Sequence, residues 1–342
     1  MRRSASKSRS VSMPDIHSAD TSNQYTNMLP DIYVIGLQEL VKLDSKHAMS
    51  DKEGLHRQAE WEAWLLRVIN SSALVNRAVE KRRTLNGRRR DSNGKGSSFK
   101  LLEKRMLMGL LLLVFVKNGV DVELMASAQT AAGILGVVGN KGAVGVALKH
   151  QGHRMVFVCA HLAAGRAKTK ERNQNVSKIM ECMSFKTKDG DLKVHDFENR
   201  FFFGDLNYRI SKMLSKDAIF HRIGKGDLVS LYVVYLCLSI SLSLYQTQNK
   251  NVIFIHRGAA DQLTISRAKG EVFQGYREGA INFLPTYKYI PGGGAGAWDC
   301  AEDGKKRAPA YCDRILWYHH RDVVQLSYTS TPEVCICKMH SV

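Results

Sequence analysis

Residues 201–207 read FFFGDLN, a short apolar run that ends in polar residues. Residues 155–161, MVFVCAH, have the same form, and the intervening residues 166–183 have the spacing of an amphipathic helix. Apolar runs of this length that alternate with helical segments predict a layered α/β or α+β protein built on a buried sheet. Such sheets usually carry their sites at strand ends, so the polar residues that close these runs are the first candidates for function.

Three further segments extend this pattern towards the N-terminus. Residues 31–40, DIYVIGLQEL, predict a first strand, and residues 55–80 predict a helix. The predicted apolar face of that helix consists of Trp61, Trp64, Leu65, Val68 and Ile69. Residues 106–117, MLMGLLLLVFVK, predict a strand buried on both faces, since about a dozen residues are too few to span a bilayer.

The formal net charge of +18 is concentrated in two segments. Residues 1–10 contribute +4 and residues 81–105 contribute +8, so the remaining 307 residues hold only +6. A solvated charge run explains both segments, and attraction to an anionic membrane or a phosphorylated ligand is the alternative. We expect residues 81–99 to form a flexible basic loop and residues 1–28 to form a disordered basic, Ser-rich tail.

Cysteine usage and apolar runs indicate the compartment. The seven cysteines are odd in number and form no CxxC pair, which favours a reducing compartment over a disulfide framework or a zinc site. The N-terminus has no apolar segment of the secretory kind. Residues 231–245 are mostly apolar but shorter than a membrane helix, so we expect a buried strand pair or an abnormal insertion within residues 229–260. The predicted location is cytoplasmic, with peripheral contact to membranes.

The polar residues beside the apolar runs comprise three carboxylates, one amide and one histidine. They are Glu39, His161, Asp205, Asn207 and Asp313. Carboxylate oxygens are the ligands that Mg²⁺ prefers, and a bound Mg²⁺ can clamp a phosphoryl group. The Asp–x–Asn pair would place both side chains on one face of a strand, since the side-chain period is two. Each residue alone also fits a turn cap, a solvated strand end or a structural histidine.

Six segments together resemble the successive signature blocks of the inositol-polyphosphate 5-phosphatases, within the endonuclease/exonuclease/phosphatase superfamily. They are GLQEL (36–40), GNKGAVG (139–145), HLAAG (161–165), FFFGDLNYRI (201–210), INFLPTYKY (281–289) and RAPAYCDRILWY (307–318). The nucleases of the superfamily share the Glu, His, Asp–x–Asn and Asp skeleton but not the NYR, TYKY and PAYCDR blocks. The resemblance therefore predicts a phosphatase, and no nucleic-acid partner is expected.

The resemblance implies a catalytic domain over residues 29–328 with the DNase-like four-layer architecture, a two-sheet β-sandwich flanked by helices. It implies that water attacks in line and removes the 5-phosphate of a phosphatidylinositol polyphosphate or a soluble inositol polyphosphate, with Mg²⁺ as cofactor. Glu39 would ligate Mg²⁺, His161 would contact the scissile phosphate and Asp205 would activate the water. Asn207 would position the phosphate or water, and Asp313 would support the hydrogen-bond network.

The resemblance also implies that the neighbouring 4-phosphate of the substrate is bound by Tyr287, Lys288, Lys305 and Arg307. Asn140 and Lys141, in a turn flanked by glycines, are expected to place backbone and side-chain donors near the substrate. Arginine presents a planar fork to phosphate oxygens and lysine a point charge, so these residue types suit the task. For Asn140 and Lys141, a tight turn between glycines explains the sequence equally well.

Three departures from the family pattern leave alternatives open. Residues 1–28 contain no TWN or TYN sequence, residues 229–260 interrupt the order of the blocks, and residues 329–342 read TSTPEVCICKMHSV with no Asp before His340. A catalytically impaired phosphoinositide-binding relative is therefore the second hypothesis, and a Mg²⁺-dependent nuclease is the third. Phosphate release from a bisphosphorylated substrate and nicking of plasmid DNA would distinguish the three.

Overall fold

The computed structural model describes residues 29–40, 51–71, 98–132, 141–228, 231, 260–289, 307–319 and 323–331. The predicted tail, most of the basic loop, nearly all of the insertion and the last eleven residues of the divergent C-terminus lie outside these ranges. Within the described residues, no helix is both long enough and apolar enough to cross a membrane.

The strands and helices alternate only in part, because five strands follow one another between residues 99 and 161 with no described helix between them. The strands are β1 (Ile32–Leu37), β2 (Phe99–Leu107), β3 (Leu110–Lys117), β4 (Val122–Ala131), β5 (Gly142–His150), β6 (His153–His161), β7 (Ser184–Thr187), β8 (Gly190–Lys193), β9 (Asn199–Asp205), β10 (Arg277–Glu278) and β11 (Asp313–Tyr318). The helices are α1 (Asp51–Ser71), α2 (Thr169–Cys182), α3 (Lys216–Gly224) and α4 (Gln262–Ala268).

These strands form two main sheets and one separate hairpin. The small sheet has the order β1-β3-β2, and the large sheet has the order β10-β11-β9-β6-β5-β4. Strands β6 and β9 pair in parallel, whereas the other neighbours in both sheets pair antiparallel. Strands β7 and β8 form the hairpin.

Strand β3 shows how the layers stack, because its alternate side chains lie in two different cores. Leu110, Leu112, Val114 and Val116 pack with Val144, Val146, Leu148 and Cys159 of the large sheet. Leu111, Leu113 and Phe115 pack with Trp61, Leu65 and Ile69 of α1. Val176 and Ile179 of α2 pack on the opposite face of the large sheet. The order helix, sheet, sheet, helix confirms the predicted two-sheet sandwich.

Two local predictions differ from the structure. Residues 106–117 form the turn of a hairpin and one of its strands instead of a single strand, because Met108 and Gly109 both have positive φ, 45° and 81°. Helix α1 begins before the predicted boundary, and Val68 on it is 44% exposed instead of buried. The predicted helix at 166–183 is confirmed as α2.

A buried cluster of charged side chains joins the beginning of β11 to two neighbouring elements. Arg314 donates to both carboxylate oxygens of Asp261, at 3.0 and 3.1 Å, and to those of Glu278, at 2.5 and 2.8 Å. All three side chains are at most 1% exposed. Asp261 also caps α4 by accepting a bond from the Thr264 N–H at 2.9 Å. The cluster therefore ties β11 to β10 and to the start of α4.

We predict that Arg314→Leu lowers the free energy of unfolding by about 3–5 kcal/mol, because it leaves the Asp261 carboxylate buried without its cation. Urea unfolding measures the change. The control is Lys188→Ala, which breaks the exposed Lys188–Glu123 pair at 3.4 Å and should leave the midpoint unchanged. Equal midpoints for the Arg314 variant and the unaltered protein would contradict the prediction.

Candidate active site

One end of the large sheet gathers four polar residues from adjacent strands. His161 closes β6 and pairs with Asp205, which closes the parallel strand β9. Asp205 also pairs with Asp313, the first residue of the antiparallel strand β11. On the other side, Gly142 of β5 pairs with His161, so Lys141 lies just beyond it. The strand register therefore brings together residues that are far apart in the sequence.

Two glycines permit the close approaches that this arrangement needs. Gly204 has a φ of 123°, and a Cβ there would lie 2.3 Å from the carbonyl oxygen of Ala160. A Cβ on Gly36 would lie 2.4 Å from Sγ of Cys159 and 2.8 Å from the ring of Phe203. The bare backbone of Gly36 therefore lets β1 lie directly on the large sheet, which carries the end of β1 towards the site.

Glu39 follows β1 on this same side. Its φ is 57°, and the preceding Gln38 donates from Nε2 to Sγ of Cys159 at 3.2 Å. Burial lowers the pKa of Lys141, while the negative charges of Asp205 and Glu39 oppose that shift. The exposed Glu39 carboxylate thus lies within electrostatic reach of the residues on the large sheet.

His161 is almost fully enclosed, with 2% of its surface exposed. Its Nε2 lies 2.5 Å from Nζ of Lys141 and 3.4 Å from Oδ2 of Asp205. An ammonium group has only donors, so Nε2 accepts the bond from Lys141.

Asn207 lies at the site in a backbone conformation that the sequence did not predict. Strand β9 ends at Asp205, so the predicted placement of both side chains on one face of a strand is wrong. Asn207 has a φ of 57°, and its N–H turns back to donate to Oδ1 of Asp205 at 3.0 Å. Its side-chain amide donates to the carbonyl of Leu162 at 3.0 Å.

Asp313 carries the carboxyl group whose proton affinity differs most from the ordinary value. Enclosure by protein and the charge of Asp205 raise the pKa of Asp313 to about 7. Asp313 nevertheless keeps solvent-exposed surface, so we attribute its raised pKa chiefly to repulsion from the charge of the paired Asp205. Two carboxyl groups side by side are easiest to accommodate when they share a proton.

The residues predicted to bind a second phosphate approach the site from the segments 284–289 and 307–310. Tyr287 exchanges two backbone hydrogen bonds with Ala310, at 2.9 and 3.1 Å. Its hydroxyl accepts a bond from Nη1 of Arg307 at 3.4 Å, and Lys288 beside it is half-buried. Asn140 and Lys305, also predicted to bind substrate, lie outside the described residues.

Sequence reasoning gave no role to Arg209, although it lies in the NYR part of a signature block. Its guanidinium lies over the ring of Tyr287, with 3.7 Å from Cζ to the ring centroid. The same group donates to the side-chain oxygen and the carbonyl of Asn207. Only its position after the Asp–x–Asn pair could have indicated that it contacts both segments.

Arg172 was also missed, because a lone arginine in an amphipathic helix ordinarily faces solvent. It is fully buried and donates to the carbonyls of Ala163 at 3.0 Å and Gly165 at 2.7 Å. These bonds hold the loop that follows His161.

The described residues contain no group of three or more His, Cys, Asp and Glu side chains that could hold a metal ion. Magnesium usually binds through one or two carboxylates and keeps several waters, and the exposed carboxylate of Glu39 fits that kind of site.

Comparisons with known proteins agree with this geometry. The family model described as Endonuclease/Exonuclease/phosphatase family 2 matches residues 5–337. Type IV inositol polyphosphate 5-phosphatase 9 of Arabidopsis thaliana is 30% identical over 298 residues, covering 84% of this chain and 63% of that protein. Synaptojanin-2 of Homo sapiens is 26% identical over 306 residues, covering 89% of this chain and 16% of that protein. The chain thus spans less than two thirds of either relative.

A solved structure also matches. It is the inositol polyphosphate 5-phosphatase domain of SPsynaptojanin in complex with inositol (1,4)-bisphosphate and calcium ion. The TM-score is 0.61 at 26% sequence identity, and the match covers 89% of this chain and 71% of that one. The chain belongs to the endonuclease/exonuclease/phosphatase family 2, as its signature blocks predicted, and inositol polyphosphate 5-phosphatases are among its relatives.

Proposed function

We propose that this chain hydrolyses the 5-phosphate of phosphatidylinositol polyphosphates or soluble inositol polyphosphates by direct attack of water. The observation that carries the proposal is the convergence of Lys141, His161, Asp205 and Asp313 at one end of the large sheet. The names of the relatives support the substrate class, as does the inositol bisphosphate in the solved relative.

Asp205 is the proposed general base. The N–H of Asn207 fixes its Oδ1, which leaves Oδ2 on the side of His161. The proton that the Asp205–Asp313 pair takes up near neutral pH resides on Asp313, whose pKa is raised to about 7. Asp205 is then the carboxylate that can accept a proton from the attacking water.

Lys141 and His161 are the proposed contacts for the phosphoryl group that is transferred. Their nitrogen atoms lie 2.5 Å apart, so an entering phosphoryl oxygen would take over the donor that Lys141 now gives to His161. Donors already held in place stabilise the charge that develops in the transition state. Asn207 retains one amide hydrogen beyond the one it gives to Leu162, which suffices to orient the phosphate or the water.

Magnesium is the proposed cofactor, with Glu39 as its protein ligand. The solved relative contains calcium, which shares the preference of magnesium for oxygen ligands. When bound, the cation would offset the negative charge of the phosphoryl group. The substrate phosphate and water would complete its coordination.

A neighbouring substrate phosphate is proposed to bind at Tyr287, Lys288 and Arg307, with Lys305 contributing a further donor. Asn140 is proposed to contribute a donor near the substrate. The contact between Arg307 and the Tyr287 hydroxyl supports a shared site for these two residues. Cytoplasmic location and peripheral binding to an anionic membrane remain part of the proposal, since a surplus of lysine and arginine attracts such membranes.

We predict that Asp205→Asn lowers kcat/KM about 10²–10⁴-fold, because the base is replaced by a group that cannot accept the proton. The assay measures phosphate released from a 4,5-bisphosphorylated inositol lipid with Mg²⁺. The matched control is Asp191→Asn in the exposed β7–β8 hairpin, which should retain full activity.

Phosphate release, lipid binding and plasmid nicking by the unaltered protein together distinguish the competing hypotheses. If the unaltered protein binds the lipid but releases no phosphate, the impaired binding relative is correct and the hydrolase proposal fails. If it releases no phosphate and nicks plasmid DNA with Mg²⁺, the nuclease hypothesis is correct.

We also predict that Asp313→Asn raises the melting temperature more at pH 8 than at pH 5, with divalent cations chelated. The pKa of Asp313 in the folded protein, about 7, lies above its ordinary value of 3.8, so the folded state binds the proton more tightly than the unfolded state. The stability due to protonated Asp313 is complete below the ordinary pKa and is lost as the pH rises through about 7. Differential scanning calorimetry measures the effect. Equal increases at both pH values would refute it.

A further inference from the structure

We infer that Arg209 is a positioning residue that couples residues 284–289 and 307–310, here called the second-phosphate segment, to the Asp205 carboxylate. This inference rests on the proposed function. A phosphate bound at Arg307 and Tyr287 would then raise the rate of 5-phosphate hydrolysis as well as the affinity for substrate. The inference depends on three sets of contacts made by Arg209.

The first set connects Arg209 to the general base. Its Nη2 donates to the side-chain oxygen of Asn207, and its Nε donates to the Asn207 carbonyl at 3.2 Å. The N–H of Asn207 in turn donates to Oδ1 of Asp205 at 3.0 Å. The planar guanidinium thus holds both oxygens of the residue that orients the Asp205 carboxylate.

The second set connects Arg209 to the second-phosphate segment. The guanidinium lies over the ring of Tyr287, with 3.7 Å from Cζ to the ring centroid, and the hydroxyl of the same ring accepts a bond from Arg307. Tyr287 therefore contacts two guanidinium groups, one at the face of its ring and the other at its hydroxyl. A bound phosphate that attracts Arg307 would break the bond from Arg307 to the Tyr287 hydroxyl. The position of the Tyr287 ring, over which Arg209 lies, would then change.

The third set fixes the backbone of Arg209, so only its side chain can respond. The Arg209 N–H donates to Oε1 of Gln262 at 2.9 Å, and Arg172 donates to the same oxygen at 2.6 Å. Gln262 also donates to the carbonyl of Arg166 at 2.8 Å. A displacement of the guanidinium therefore alters the orientation of Asn207 and Asp205 instead of moving the whole segment, and small misplacements of reacting groups have large effects on rate.

The variant Arg209→Lys tests the coupling. Lysine keeps the positive charge but lacks both the planar fork that holds Asn207 and the flat face that stacks on Tyr287. The experiment measures kcat and KM separately for a phosphoinositide with 4- and 5-phosphates and for one with the 5-phosphate alone. For the unaltered protein we expect a higher kcat on the first substrate. In the variant, the ratio of the two kcat values should fall about tenfold, the size expected when a stacked cation is lost.

The chain offers a matched control. Arg200 stacks in the same way on Tyr318, with 4.0 Å from Cζ to the ring centroid, and donates to the Phe197 carbonyl at 2.7 Å. It lies near the opposite end of β9 from Asp205. Arg200→Lys should leave the kcat ratio unchanged.

Tyr287→Leu is the second variant, in case Arg209→Lys does not fold. It removes the stacking partner and should lower the kcat ratio to the same extent, with no further loss in the double variant. An equal fall of kcat on both substrates would make Arg209 merely structural and would overturn the inference. If the unaltered protein hydrolyses both substrates with the same kcat, the coupling fails while the hydrolase function stands. If it hydrolyses neither, both proposals are wrong.

Discussion

The register of β6, β9 and β11 is the constraint on which the rest of the structure depends. His161, Asp205 and Asp313 occupy paired positions on three adjacent strands, so their side chains meet only in this alignment. A slip of one residue would turn each side chain to the opposite face of the sheet. The buried contacts of Arg314 with Asp261 and Glu278 oppose such a slip, because they bind the second residue of β11 to two other elements.

The same alignment forces two carboxyl groups together at the end of the sheet. The Asp205–Asp313 pair raises the pKa of Asp313, so part of the stability is given up where the chemistry is proposed to occur. Lys141 is attracted to Asp205, and the positive charge of Arg209 lowers the pKa of Asp313, so both cations offset some of this repulsion. These cations therefore make the close approach of the two acids tolerable.

The sequence was sufficient for features that depend on local pattern. Apolar runs closed by polar residues located β6 and β9, and helical spacing located α2. The turn at Met108 and Gly109 was missed because no polar residue interrupts the apolar run there. The contacts of Arg209 with Tyr287 and of Arg172 with Gln262 were beyond prediction, because each joins segments that only the folded chain brings together. Conformations such as that of Asn207 follow from the same tertiary contacts.

The parallel pairing of β6 with β9 also bears on the order of folding. Neighbouring antiparallel strands can pair across a short turn, whereas this pair closes only after the crossover that contains α2 and the β7–β8 hairpin has been spanned. Contacts between distant parts of a chain form slowly, since the entropy of closing the loop is lost before they contribute. His161 and Asp205 are thus joined by a contact of longer range than those within the hairpins, and a chain with only its hairpins formed would still lack the candidate active site.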